Sequence, residues 1–369
     1  MSRCDEPFAA SDAASDMAVG LVPKRMPAGQ SGDAAHDSHA LFGQLRAAAE
    51  TLRTAGVDAP QVDAKLLMAC AYGVELHDID KAMLLGRELP GRGKPDDAQA
   101  AGRFKTMLAR RAAREPLQYI TGHAPFRFLD LAVGPGVFIP RPETESVVQA
   151  ALDWLSGQGI AQPRIVDLCA GSGAIGLSIA TELPGSQVWA VERSPQALAW
   201  TRRNRDAILG DAGLRVASST TQNNLTPDDA ASGDSNVDDT PSVVRNHRYH
   251  LIQGDATDAT MLAELDRTID AVVTNPPYVP LSQIPEQPEV REHDPDMALY
   301  GGSDDGLAIP IAILARSAAL LRHGGLLVME HDISQGQPLV ECALHNGFET
   351  ARTGNDLTGR PRCLFAIRG

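Results

Sequence analysis

The stretch Val166-Asp167-Leu168-Cys169-Ala170-Gly171-Ser172-Gly173-Ala174-Ile175-Gly176 decides the fold. An apolar run, Arg164–Leu168, meets a glycine cluster and then a helical pattern that reaches Leu183. In a strand–turn–helix unit of this kind the glycines let backbone pass close to a ligand, and the helix start offers unpaired N–H donors. Gly171 to Gly176 spells G-x-G-x-x-G, which alone is a weak dinucleotide signature. Glu192 closes the next apolar run about 20 residues on, where an acid would hold ribose hydroxyls. S-adenosylmethionine also offers a ribose diol, with a sulfonium and an amino acid tail in place of a pyrophosphate. Asp167 would order the loop or face the ammonium of that tail. The loop therefore leaves NAD and S-adenosylmethionine both open.

Outward from this unit, strand and helix patterns alternate. Strands are expected at Arg164–Leu168, Gln187–Glu192, His250–Gly254, Ala271–Thr274 and Gly325–Glu330. Helices are expected at Gly173–Leu183, Pro195–Ile208, Met261–Leu265, Leu307–Leu321 and Pro338–Asn346. Alternation of this kind implies an α/β fold with a mostly parallel sheet covered on both faces. Phe348–Thr353 and Arg362–Ile367 would add an antiparallel hairpin at its end. Upstream, helical patterns run from near His39 to Gly56, from Ala59, over Asp78–Leu85 and over Asp96–Arg114. The last carries Arg103, Lys105, Arg110, Arg111 and Arg114 with no acid between them, which reads as a solvated face or as a patch for an acidic or RNA-bearing partner. Tyr119–Gly122 and Phe126–Val133 alternate apolar and polar residues, as in a hairpin. The expected domains are a disordered tail at 1–38, a helical domain at 39–116, a hairpin linker at 117–140 and an α/β domain at 141–369. Residues 217–243, rich in Ser, Thr, Asn and Asp, are expected to be a disordered insertion in that last domain. Met17 and Met26 stand as alternative starts.

The chain has 369 residues and a formal charge of −14, from 33 basic and 47 acidic side chains. Residues 1–38 hold six acids against three bases, and residues 217–243 hold five acids and no base. More than half of the net charge thus sits in segments that bury little. An acidic balance with 4% aromatic residues argues against tight sequence-blind binding of nucleic acid. Five scattered cysteines with no C-x-x-C pair argue against a disulfide scaffold or a zinc ribbon, and no metal site is expected. Without a run of about 18 apolar residues or a signal-peptide pattern, the expectation is a cytoplasmic protein with no membrane contact and a monomeric state.

Thr274-Asn275-Pro276-Pro277-Tyr278 separates the two cofactors. It follows a strand and so falls at the carboxyl edge of the sheet, where doubly wound folds bind ligands. N-P-P-Y suits methyl transfer to a planar nitrogen, whose lone pair is delocalised and attacks poorly. Asn275 can accept one N–H of the target through its carbonyl, and the Pro276 carbonyl can accept the other. Pro276 and Pro277 stiffen the turn, and Tyr278 can lie against the planar group. Catalysis is then mainly orientation and water exclusion, with the methyl activated by the cofactor.

With these motifs the chain resembles the HemK-type (PrmC) protein-(glutamine-N5) methyltransferases, which modify the Gly-Gly-Gln glutamine of class-1 peptide release factors. The resemblance spans roughly residues 39–369 without the insertion. It rests on Pro116 to Gly122, the Phe126 hairpin, Phe138-Ile139-Pro140-Arg141-Pro142-Glu143-Thr144-Glu145, Asp167 to Gly176, Asn275 to Tyr278, Ala298 to Gly306 and Gly325 to Gln335. It implies a helical N-terminal substrate-recognition domain and a Rossmann-like, seven-stranded methyltransferase domain that uses S-adenosyl-L-methionine. Carried over by position, Cys169, Ala170, Gly171, Ser172 and Gly173 would line the methionine end, Glu192 would bind the ribose, and Asp255 and Ala256 would lie by the adenine. Asn275, Pro276, Pro277 and Tyr278 would hold the glutamine. Apart from the resemblance, Arg141 and Glu143–Glu145 read either as an ion-pair latch over the site or as a plain salt bridge. Two departures, His293-Asp294-Pro295 for Glu-Pro and Glu330-His331-Asp332 for E-H-G, are expected to leave the core motifs untouched. Other readings are a ribosomal-protein glutamine methyltransferase, an N6-adenine or N2-guanine nucleic-acid methyltransferase, an NAD-dependent oxidoreductase and an acidic binding module.

Overall fold

The computed structural model of the chain describes residues 33–89, 97–210, 248–356 and 358–369. The expected insertion at 217–243 and most of the expected tail lie outside them. Four helices come first: α1 (Asp33–Thr54), α2 (Pro60–Tyr72), α3 (Leu76–Leu85) and α4 (Asp97–Ala112). Helix α1 starts six residues inside the segment expected to be tail, where Ala34 and Ala35 favour helix. Gly73 and Gly86 end α2 and α3 in the left-handed conformation, which glycine adopts without strain. The helices bury Leu41, Leu45, Leu52, Leu67, Met68 and Ile79 in one core.

The hairpin expected from Tyr119 begins instead with a helix, α5 (Leu117–Thr121). Pro116 opens that helix and Gly122 closes it with φ +81°. The hairpin is confined to β1 (His123–Phe126) and β2 (Leu129–Ala132), joined through Arg127 and Phe128. Helix α6 (Glu145–Gly157) then leads into β3 (Arg164–Leu168), α7 (Ala174–Glu182), β4 (Gln187–Glu192), α8 (Pro195–Leu209), β5 (Tyr249–Gln253) and β6 (Ile269–Thr274). Two short helices escaped the sequence reading: α9 (Pro288–His293) and α10 (Asp296–Leu299). The rest is α11 (Ala308–Leu320), β7 (Leu321–Glu330), α12 (Gly336–His345), β8 (Phe348–Asn355) and β9 (Pro361–Arg368). The helix expected over Met261–Leu265 is only a 3-10 turn, Ala263–Leu265.

Among the described residues the strands form a two-stranded β1-β2 hairpin and a seven-stranded sheet in the order β5-β4-β3-β6-β7-β9-β8. Only β9 runs against its neighbours. The fold is therefore the Rossmann-like α/β arrangement the sequence implies. Inside each strand, alternate side chains enter opposite cores: Ile165 joins Val147, Val148 and Leu177, while Val166 and Leu168 join Ile313 and Leu314. The chain leaves β3 toward β4 and returns to its other side with β6. This switch point opens a crevice between the carboxyl ends of β3 and β6.

Of the basic residues of α4 and its end, Lys105 and Arg110 are exposed as a solvated face would have them, whereas Arg111 and Arg114 are turned inward. Arg111 is 7% exposed; it donates to Asp63 at 2.8 Å and to Glu289 on α9 at 2.7 Å. Arg114 donates to both Glu289 oxygens, at 2.8 and 2.6 Å. Arg110 pairs with Glu115, and Arg103 donates to the Ala71 carbonyl. The guanidinium groups of Arg111 and Arg114 brace the helical layer against α9, because a charge can be buried when it meets an opposite one with good geometry. Burial also draws on charged groups that composition alone treats as surface. No helix of the described residues is long and apolar enough to cross a membrane.

Candidate active site

The crevice at the switch point is a cavity of about 250 Å³. Its floor is the loop after β3. Cys169 has φ +66°, Gly171 +57° and Gly173 +88°. A side chain on Gly173 would meet Leu177 at 2.8 Å and Thr201 at 2.9 Å, so this position needs glycine on two grounds. Helix α8 clamps the loop from below: Thr201 Oγ1 donates to the Gly171 carbonyl at 2.6 Å and Asn204 Nδ2 to the Ser172 carbonyl at 2.9 Å.

Glu192 ends β4 and is 8% exposed. Its Oε2 accepts the Gly171 N–H at 2.8 Å and its Oε1 accepts the Ser194 N–H at 2.7 Å. Burial raises its pKa, and these backbone N–H groups pull it back. Each oxygen keeps a lone pair for a ligand hydroxyl. Asp255 and Ala256 line the same end of the cavity. Asp255 Oδ1 is held by the Thr257 hydroxyl at 2.6 Å, which keeps its carboxyl below the usual range.

Asp167 is fully buried but lies beneath the loop rather than on the cavity wall. Its Oδ2 accepts the Gly176 N–H at 2.9 Å, so of its two expected roles the geometry displays the ordering of the loop. Burial pushes its carboxyl up to about 8. Burial drives the Cys169 thiol far above the ordinary thiol value, and Glu192, Asp167 and Asp255 push it the same way. That makes it a packing residue and a poor nucleophile. Acids gathered around one loop also discriminate between ligands. The Gly171 and Gly176 N–H groups that a pyrophosphate would need are already taken by Glu192 and Asp167, whereas a ribose diol without a pyrophosphate needs neither. The donor set therefore fits S-adenosylmethionine better than NAD.

The opposite wall is built by Asn275 to Tyr278, at the carboxyl end of β6. In register, Thr274 lies beside Leu168, which places Asn275 next to Cys169. Three residues outside the expected site, Thr144, Glu330 and Gln335, hold this wall. Thr144 Oγ1 donates to Glu330 Oε2 at 2.6 Å, and Asn275 Nδ2 reaches Thr144 Oγ1 at 3.2 Å. The Tyr278 hydroxyl donates to the other Glu330 oxygen at 3.0 Å. Burial raises the Glu330 pKa; Thr144, Tyr278 and the positive charge of Arg362 oppose that rise. Gln335 Nε2 donates to the carbonyls of Tyr278 at 2.8 Å and Asp305 at 2.9 Å, which fixes the backbone after the motif. All three lie within stretches that carried the resemblance, and Glu330 ends β7. Their contacts join residues 30 to 186 positions apart, which no local pattern encodes.

Arg141 and Glu143 do not form a latch with each other. Arg141 pairs at 2.6 Å with Asp294, whose side chain is fully buried, while Glu143 is exposed. Glu145 instead accepts the Arg127 N–H at 2.9 Å. Burial raises Asp294 to about 6, and Arg141 opposes the shift. This departure from the Glu-Pro pattern does reach the site, because the next residue, Pro295, lines the cavity together with Pro140 and Thr144. The shorter acid still bridges to Arg141. Asp332, the other departure, caps the following turn through Ser334, away from the cavity. Among the described residues no group of His, Cys, Asp and Glu is arranged to hold a metal ion.

The chain is similar to known proteins over most of its length. A family profile described as the PrmC N-terminal domain matches residues 44–122, and one described as Conserved hypothetical protein 95 matches residues 118–238. The release factor glutamine methyltransferase of Bifidobacterium longum is 54% identical over 323 residues, covering 88% of this chain and 98% of that protein. That of Streptomyces coelicolor is 40% identical over 331 residues, covering 88% and 97%. A solved protein-(glutamine-N5) methyltransferase from Alicyclobacillus acidocaldarius aligns with 64% of this chain and 98% of its own, at 23% identity and a TM-score of 0.32. The extent of the sequence matches carries the assignment: the chain belongs to the release factor glutamine methyltransferase family.

Proposed function

We propose that this protein transfers a methyl group from S-adenosylmethionine to the side-chain nitrogen of the glutamine in the Gly-Gly-Gln motif of class-1 release factors. The single observation that carries the reading is the orientation of Asn275. Its Nδ2 faces Thr144, so its Oδ1 is free to accept an N–H from a planar amide in the cavity. Family membership supports the substrate class.

In this reading the cofactor supplies an activated methyl on a cationic sulfur. Glu192 binds the ribose hydroxyls, and Cys169 to Gly173 form the floor under the methionine end. Asp255 and Ala256 flank the adenine, and Asp167 holds the loop. Asn275 and the Pro276 carbonyl each accept one amide N–H, which turns the nitrogen lone pair away from them and into the cavity. Pro277 keeps the turn rigid, and Tyr278 closes the side of the target. The nitrogen forms its new bond to carbon as the carbon–sulfur bond breaks, and one N–H proton leaves to solvent. Holding these partners in line is worth several orders of magnitude in rate. Residues 39–116 act as the substrate-recognition domain, 117–140 as linker and 141–369 as the methyltransferase domain.

The test is transfer of label from methyl-labelled cofactor to purified release factor, ribosomal protein and DNA, with the modified residue mapped by mass spectrometry. Label on the Gly-Gly-Gln glutamine is expected. Label confined to ribosomal protein or DNA would overturn the reading.

A further inference from the structure

We infer that the buried Thr144–Glu330 pair is a positioning device that fixes which end of the Asn275 side-chain amide faces the cavity. The inference deepens the proposed reading and rests on it for its catalytic meaning. The two ends of an asparagine amide have nearly the same shape, so packing alone does not choose between them. Only the polarity of the neighbour chooses. Here the neighbour is a hydroxyl, which is ambivalent by itself. A third group removes the ambivalence. Both Glu330 oxygens accept here, and they take the protons of Thr144 and Tyr278. Thr144 is then left with lone pairs alone facing Asn275. Its partner must be the Nδ2 end, as the 3.2 Å contact has it. A flipped amide would set Oδ1 against a hydroxyl lone pair and turn N–H donors toward the incoming amide N–H groups. Thr144 and Glu330 are 3% and 2% exposed, so water cannot readily substitute for either. Neither residue needs to touch the reacting atoms; both act through Asn275.

A packing role and a polarity role make opposite demands on Thr144, and this supplies the test. Val keeps the volume of Thr and loses the hydroxyl; Ser keeps the hydroxyl and loses a methyl. Transfer kinetics on the release factor are measured for the full chain and for T144V, T144S and E330Q, with cofactor affinity by calorimetry. T144V is expected to lower kcat by about 10- to 100-fold while the cofactor dissociation constant holds within about twofold. T144S is expected to recover to within about threefold of the parent, and E330Q to fall with T144V. A T144V enzyme as active as T144S or better overturns the inference. Hydrogen exchange of the Asn275 side-chain amide, its NMR signals assigned by their loss in N275A, reads the contact without any substrate. Protection in the parent and T144S but not in T144V or E330Q is expected; equal exchange in all four overturns the inference. If the parent leaves the release factor unlabelled, the functional reading fails by itself and the exchange data still decide this one. Should T144V not fold, E330Q carries both readouts.

Discussion

Removal of the Glu289 charge tests how the helical layer is held to the sheet. Glu289 accepts three guanidinium N–H groups, one from Arg111 and two from Arg114, at 2.6–2.8 Å. Glu289→Gln keeps the shape and deletes the charge. Breaking a fully buried pair by removing one partner costs about 3–5 kcal/mol. Two features lower that figure here: Asp63 still compensates Arg111, and the Glu289 side chain keeps 17% of its surface. The expected loss is therefore about 2–3 kcal/mol. The acid dependence carries a sign. The two arginines hold the Glu289 carboxyl down to about 2, below its ordinary value of 4.5. Its stabilising contribution is thus complete above about 4.5 and lost as pH falls toward 2. Urea unfolding gives the readout. All three tryptophans, Trp154, Trp189 and Trp200, lie in the α/β part, so fluorescence follows the sheet while far-UV circular dichroism follows both parts. The variant should lose helix signal at lower urea than fluorescence, and its deficit should shrink below pH 4. A variant within about 0.5 kcal/mol of the parent at pH 7 would refute the role of this clamp in docking.

Further outcomes follow from the site. Asn275→Ala should lower kcat by about 100-fold or more with cofactor affinity largely kept; equal loss of both would make Asn275 structural. Glu192→Ala should weaken cofactor binding by about tenfold or more, read by calorimetry, and an unchanged dissociation constant would remove its ribose role. Asp167 sits about 8 against an ordinary 3.8, so its folded form stays protonated where the unfolded form has ionised. The contribution of that protonated form to stability is complete below about 4 and is lost as pH rises toward 8. Asp167→Asn should therefore gain on the parent by up to about tenfold in unfolding equilibrium per pH unit from pH 5 to 7, read from melts; a constant difference would place the charge elsewhere.

Much of the architecture was legible because its determinants are local. Strand periodicity, the glycines of the β3–α7 turn and the N-P-P-Y turn each lie within a few residues, and each is where the sequence placed it. What the sequence hid is long-range and polar. The Thr144–Glu330 contact, the Arg141–Asp294 pair and the Arg111–Glu289 clamp join residues 153 to 186 positions apart. Helical periodicity marks Arg111 as surface because it registers apolar spacing and not ion pairing. Helix α5 was misread for a related reason. Five residues give too little periodicity to tell helix from strand, and the bond of the Tyr119 hydroxyl to the Val137 carbonyl is tertiary. Helices α9 and α10 are likewise too short to register a period.

The place of β9 between β7 and β8 has a consequence for biogenesis. Synthesis delivers β7 first, then β8, and only afterwards the strand that separates them in the sheet. Until β9 inserts, β7 presents an open edge and β8 has no strand to pair with. Glu330 emerges before Arg362, the cation that offsets its burial. Strands β3 to β6, with the glycine loop and Glu192, need none of this. A nascent chain can thus shape the β3–β6 half of the cavity early, while the wall built on Asn275 to Tyr278 gains its Glu330 and Arg362 support only after β7 and β9 have been made.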